Sequence, residues 1–223
     1  MAETAGPLSR TSGRPFWRAL LLPALVIGAI AFSIWWLEYR PGDETASPFT
    51  GEEYGVKTLP VSLAPPGSEV GPSAGRLAPD FLLPTLDGAD IRLSDLRGRP
   101  LVLNFWATWC APCRREIPQL VAAFDRFRPE GLVVLALNVQ EDRETIAGYA
   151  REFGMSFPVP IDRSGEVVDE YRLLGLPTTY FIDREGVIQS IFRGPLLEKT
   201  RGTEVRDAIG DSELTARIRD ILG

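Results

Sequence analysis

Leu101-Val-Leu-Asn-Phe-Trp-Ala-Thr-Trp-Cys-Ala-Pro-Cys113 is the stretch that decides the fold. Its first six residues form a nearly unbroken apolar run, the mark of a strand buried on both faces. A Cys-x-x-Cys pair follows at once and opens a helical pattern from Pro112 to Phe127, with Ile117, Leu120, Val121 and Phe124 on its apolar face. Pro118 falls inside that helix and predicts a kink. Outward from this strand–helix unit, Leu132 to Leu137 reads as a second buried strand. Thr178–Ile182 and Val187–Phe192, joined by Asp183-Arg-Glu-Gly186, read as an antiparallel hairpin. Ile91 and Leu93 belong to a short early strand. Further helices are expected over Glu144–Phe153, about Glu166–Leu173, and Glu213–Leu222. Strand and helix alternating, then a hairpin and a terminal helix, give an α/β domain over residues 77–223, with a mixed central sheet flanked by helices.

The two cysteines carry the chemistry. Cys110 falls at the helix N-terminus and is expected to be exposed; the partial positive charge there favours the thiolate, the attacking form of the thiol. Cys113, one turn inside, can close a disulfide and release a mixed-disulfide intermediate. The pair lies beyond the carboxyl end of a strand, where α/β folds place their sites. Two other readings compete, a structural disulfide and half a zinc site. Zinc needs four ligands, and the chain offers two Cys and no His, so no metal is expected. A bridge over two intervening residues closes too short a loop to stabilise much.

Composition narrows the rest. The chain has 223 residues, 44% of them hydrophobic and 24% charged, enough for a core and against wholesale disorder. The formal charge is −6; residues 1–40 carry +2, which leaves −8 for the remainder. An acidic body argues against nucleic acid as partner, since phosphate needs clustered Lys and Arg. The absence of His removes imidazole bases and His-based triads.

Residues 19–37, ALLLPALVIGAIAFSIWWL, contain no charge. At ~1.5 Å per residue they approach the ~30 Å of a bilayer core. Arg10, Arg14 and Arg18 precede them, which predicts a single-pass anchor with residues 1–18 in the cytoplasm and the folded domain outside. Trp35, Trp36 and Tyr39 suit an interfacial belt, and the run ends without the small-x-small pattern of a cleaved signal. Residues 38–76, rich in Pro and Gly, read as a linker. As a coil its Pro/Gly-rich part would span ~30 Å; the alternative is a Pro-rich appendage wrapped on the domain.

Ala78-Pro79-Asp80-Phe81, Leu86-Asp87-Gly88, Asn104 to Cys113 and Gly175-Leu-Pro-Thr-Thr179 together resemble the membrane-anchored TlpA/ResA-like thioredoxin family over about residues 76–195. The resemblance implies a thioredoxin-like fold and an extracytoplasmic thiol–disulfide oxidoreductase without cofactor. It implies that Pro177 is the cis-proline facing the cysteines and that Leu176 pairs with an extended substrate peptide. It matches Glu116 to a buried glutamate that moves protons for Cys113. The strand position that is acidic in ordinary thioredoxin is Asn104 here, so the proton needs another owner. A solvated Glu on Arg114-Arg115-Glu116 is the competing reading. Glu141 matches a second acidic residue near the site, with a surface loop charge as alternative. Trp109 is expected to flank the cleft and shield the disulfide, or else simply to pack. Beyond Gly194 the chain departs from the family, because residues 195–211 are longer than the usual link to the last helix.

The implied partners are proteins with disulfides, apocytochrome c among them, and a membrane electron donor of CcdA or DsbD type. Such a donor is needed where the compartment favours disulfides. Ala-Pro between the cysteines is close to thioredoxin's Gly-Pro and leans reducing, with a disulfide-forming oxidase as the alternative. A thiol peroxidase shares the Ala-Pro-Asp-Phe opening but places Thr and Pro where this chain has Ala107 and Leu103. A thiol-based copper or haem chaperone lacks nearby His and Met.

Overall fold

The computed structural model describes residues 26–30, 32–33, 54–197 and 212–223. The chain divides into two units, Met1–Pro48 and Phe49–Gly223. In the first, residues 26–30 and 32–33 are helical, and Val26, Ile27, Ile30 and Phe32 are exposed. Among the described residues no helix is long and apolar enough to cross a membrane. Most of the expected anchor at 19–37 and most of the long 195–211 segment lie outside the described residues.

The second unit contains eight strands among its described residues. They are β1 (Gly55–Lys57), β2 (Asp80–Pro84), β3 (Asp90–Arg92), β4 (Leu101–Trp106), β5 (Val133–Val139), β6 (Ile161–Asp162), β7 (Thr178–Ile182) and β8 (Ile188–Arg193). The helices are α1 (Ala111–Phe127), α2 (Arg143–Phe153), α3 (Glu166–Glu170) and α4 (Glu213–Leu222). Five strands form the central sheet in the order β6-β5-β4-β7-β8. β4 runs parallel to β5, with Leu101 opposite Val133, and antiparallel to β7, with Phe105 opposite Thr178. The sheet is therefore mixed, and the expected hairpin is β7–β8.

All six residues of β4 are buried, because the strand has a covered layer on each side. Its alternation assigns them. Val102 and Trp106 face a cluster built with Ile117 and Leu120 of α1, Ile146 of α2 and Ile218 of α4. Leu101, Leu103 and Phe105 face the other way, toward Phe81 and Leu83 of β2, Val167 and Tyr171. Trp106 also donates its indole N–H to Ala136 O at 3.0 Å, so its one polar atom is satisfied in the core. α1 continues unbroken through Pro118, whose ring removes the donor that would reach the Arg114 carbonyl.

Two expectations change, and one strand, β2, adds to the sequence reading. The segment from residue 55 to 76 is folded, not linker. β1 pairs antiparallel with β2, Leu59 is buried, and Gly75 N donates to Ile188 O at 2.8 Å while Ile188 N donates to Arg76 O at 2.9 Å. Backbone pairing holds this segment, and backbone pairing leaves no apolar periodicity to read. β2 hides behind the same difficulty. Its Asp80 is buried and accepts from Ser94 N (2.9 Å) and Arg92 Nε (2.8 Å). Finally, α3 stops at Glu170 rather than Leu173. Tyr171 is pinned in the core by its hydroxyl on Pro79 O (2.8 Å) and by the rings of Phe105 and Tyr180, and Arg172 then turns left-handed at φ 49°.

Leu103 sits in the middle of the second layer with no exposed surface. Leu103→Ala is expected to cost about 2–5 kcal/mol, read as a lower urea midpoint at unchanged slope. A cost under about 1 kcal/mol would mean that this layer can close over the gap.

Candidate active site

β4 delivers the chain at its carboxyl end into Ala107-Thr-Trp109, and Cys110 then caps α1. Its backbone N donates to Ala107 O at 3.2 Å, and its Sγ accepts from Cys113 N at 3.2 Å. The two sulfurs are joined at 2.04 Å, with Cα atoms 5.2 Å apart. Here the cap sulfur is half of a disulfide. After reduction the same N–H and the helix terminus would face a thiolate and favour it.

The sulfurs are recessed. Cys110 is 4% exposed and Cys113 fully buried, whereas the sequence led us to expect an open Cys110. Trp109 is not packed: it is 70% exposed and stands at the rim of a shallow depression formed with Gln140, Glu141, Asp142, Thr145 and Arg163. The Leu176–Pro177 bond is cis. Because Thr178 pairs with Phe105, the loop carrying Pro177 lies at the same end of the sheet as the cysteines. Pro177 is buried, and Leu176, half-buried, packs against the cluster that contains both cysteines.

Glu116 follows Cys113 by three residues, on the same side of α1. It is 1% exposed, so it is not a solvated helix charge. Its Oε1 accepts from Thr179 Oγ1 at 3.3 Å and from Asn104 Nδ2 at 3.4 Å. Burial pushes its carboxyl from 4.5 up to about 8, against the opposing pull of the Thr179 hydroxyl, the nearby Leu196 backbone N–H and the Asn104 amide.

Glu141 serves a different structure. Its carboxylate accepts from Thr108 N at 2.8 Å, from the Thr108 hydroxyl, and from Asn138 Nδ2 at 2.7 Å. It fastens the loop before Cys110 to the end of β5. The neighbouring Gln140 is left-handed at φ 57°, an uncommon state for a residue with a side chain.

Sequence reading missed Thr179, Asn138 and Thr108, and credited Asn104 only with not being acidic. The signal was present: Asn104 and Asn138 are lone polar residues in otherwise apolar strands, and Thr179 is a buried polar residue of the Thr-Thr pair that opens β7. Among the described residues no cluster of His, Cys, Asp or Glu is suited to a metal ion.

The arrangement joins a helix-capping disulfide, a cis-proline at the same sheet end and a buried carboxyl one turn below. Residues 74–191 match the AhpC/TSA family. The chain is 40% identical to the thiol–disulfide oxidoreductase ResA of Geobacillus kaustophilus over 127 residues, which cover 57% of this chain and 73% of the relative. The chain belongs to the ResA-type thiol–disulfide oxidoreductases. ResA of Bacillus subtilis is 37% identical over 126 residues, covering 56% of this chain and 70% of that one. A Chlorobium tepidum structure described as a DsbE-type thiol:disulfide interchange protein superposes with a TM-score of 0.57 at 29% identity, over 68% of this chain and 99% of the other. The fold is thioredoxin-like, and the enzyme is an oxidoreductase of thiols and disulfides.

Two measurements follow from this geometry in the oxidised enzyme. Between pH 4.5 and about 8 the folded state holds a proton on Glu116 that the unfolded chain has released. Stability must therefore fall as pH rises through that window. Glu116→Gln removes the effect, so wild type should lose ground to the variant from pH 4.5 to about 8, and the difference between them should stay constant below and above that window. Parallel pH profiles would show that Glu116 ionises normally. Glu141→Ala, which strips the loop of its charged acceptor, should cost about 1.5–3 kcal/mol and speed exchange of the Thr108 amide hydrogen. An unchanged exchange rate would mean that the loop holds itself.

Proposed function

We propose that this oxidoreductase is tethered to the cell membrane by residues 19–37 and reduces protein disulfides outside the cytoplasm. The uncharged 19-residue run behind Arg10, Arg14 and Arg18 supports the tether and its direction. Apocytochrome c, whose haem-binding cysteines must be reduced, is the substrate we put first. A thiol-carrying membrane protein of CcdA or DsbD type would return the electrons.

The chemistry runs through the two sulfurs. The reduced enzyme attacks with the Cys110 thiolate and breaks the substrate disulfide, forming a mixed disulfide and releasing one substrate thiolate, which takes a proton from water. The Glu116 carboxylate, in its ionised fraction, accepts the proton of the Cys113 thiol. The Cys113 thiolate then attacks Cys110 Sγ and expels the second substrate thiolate. Two electrons have passed to the substrate, and the enzyme is left with the Cys110–Cys113 bond seen here. Trp109 at the rim and the backbone before Pro177 would line up the incoming peptide, which adds to the site as an extended strand.

The observation that carries this reading is the disulfide closed on a helix cap directly above a buried carboxyl. Cys113→Ala in the full-length chain should accumulate thiol-reversible adducts in membranes, and Cys110→Ser together with it should abolish them. No adduct from any membrane preparation would overturn a peptide disulfide as substrate. The reduction potential should lie nearer thioredoxin's value of about −270 mV than the value of about −120 mV of the oxidant DsbA. A potential at the oxidising end would make the enzyme a disulfide-forming oxidase.

A further inference from the structure

The carboxyl of Glu116 is held asymmetrically. Asn104 Nδ2 donates to Thr179 Oγ1 at 2.9 Å and reaches Glu116 Oε1 at 3.4 Å. Because the Thr179 oxygen receives that N–H, its own hydrogen is free to point at Glu116 Oε1, 3.3 Å away. The amide orientation follows from the same contacts. Turned over, Asn104 would place its carbonyl oxygen against Oε1 of the ionised carboxylate, acceptor against acceptor. The three side chains come from α1, β4 and β7 and are essentially fully buried. Oε2 of Glu116, equally buried, makes no hydrogen bond to any described residue.

We propose that Asn104 and Thr179 are positioning residues that clamp Oε1 of Glu116, so that Oε2 is the oxygen that receives the proton of Cys113 and gives it up again. The proposal rests on the reading of Glu116 as the proton acceptor for Cys113. A proton on Oε1 would meet two incoming side-chain donors, whereas Oε2 accepts a hydrogen bond from no described residue, with the Leu196 backbone N–H near the carboxyl as the one further donor. The clamp also fixes the carboxyl plane, so the working oxygen cannot trade places with its twin. Both donors favour the anion, and so hold the carboxyl within reach of working pH in a site whose burial opposes ionisation.

The surroundings leave few competing titrations. On α1 the neighbours one turn away are Cys113 and Gln119; β4 presents Asn104, β7 presents Thr179, and Leu196 follows β8. α4, packed against β7 and β8, carries Arg217, which is engaged by Glu213 at 2.7 Å and lies over Phe181 and Phe192. No charged side chain contributes to the shift of Glu116. Among the described residues around the site, the other groups that titrate in this range once the disulfide is reduced are the thiols of Cys113 and Cys110.

The test is the pH profile of disulfide exchange by the reduced enzyme, with a peptide disulfide as probe, in wild type, Thr179→Val, Thr179→Ser, Asn104→Leu and Glu116→Gln. A hydrogen bond to a charged group is worth about one pK unit, so Thr179→Val should move the Glu116 step about one unit to higher pH. At pH 7 the ionised fraction, and with it the exchange rate, should fall about tenfold. Thr179→Ser keeps the hydroxyl and should keep the wild-type profile, which simple repacking would not do. Asn104→Leu should move the step the same way; should it not fold, the Thr179 pair decides alone. If Glu116→Gln removes the step while Thr179→Val leaves it in place, the clamp is packing only and the proposal falls. If Glu116→Gln leaves the step untouched, it is the proton-acceptor reading that falls.

Discussion

The structure depends on β4 being covered on both faces. A strand buried on two sides must spend alternate residues on opposite layers, and β4 does so with Val102 and Trp106 on one and Leu101, Leu103 and Phe105 on the other. Its position between a parallel and an antiparallel neighbour then fixes everything at its carboxyl end. The parallel side sends the chain through α1, whose N-terminus begins at Cys110. The antiparallel side brings the start of β7, and with it the Leu176–Pro177 bond, to the same edge. The sulfurs and the cis-proline meet because one strand order permits it, not because they are near in sequence.

That same burial makes the polar residues of the layer expensive and therefore informative. Asn104 on β4 and Thr179 on β7 are register partners, and both face α1. A polar group there must find a partner inside the protein, since water is excluded. They find each other and Glu116. The carboxyl is thus set between desolvation, which keeps it protonated, and a small number of donors, which draw it toward ionisation. An apolar residue at 104 would pack better and leave Glu116 with fewer donors. The fold gives up some packing at its centre to keep an acid group adjustable beside the thiols.

Much of this was legible beforehand, for definite reasons. The strand at 101–106, the helix beyond it, the β7–β8 hairpin and α4 all carry strong apolar patterns, and the Cys-x-x-Cys pair is explicit. What stayed hidden is held by backbone or by long-range polar contacts. β1 and the two-residue β6 are too short for any period to show. β2 contains the buried Asp80, whose acceptance from Ser94 N and Arg92 spans chain distances that no local pattern records. α3 carries helical spacing on to Leu173, but Tyr171 is claimed by the core first. The exposure of Cys110 was misjudged because reactivity suggests openness, while the fold buries the pair in a cluster against which Leu176 packs.

The two carboxyl residues near the cysteines show why chemistry needs environment as well as residue type. In sequence Glu116 and Glu141 are alike, each a few positions past the end of a buried strand or a reactive pair. In the fold Glu141 gathers a backbone N–H, a hydroxyl and an amide, and its work is to hold the loop that presents Cys110. Glu116 gathers two side-chain donors on one oxygen, with the Leu196 N–H nearby, and its other oxygen accepts a hydrogen bond from no described residue. A carboxylate with its lone pairs occupied is a fastener, whereas one buried a turn below the cysteines, with an oxygen that accepts from no described residue, has somewhere to put a proton. That difference was set by Asn104, Thr179 and Asn138, three polar residues of buried strands.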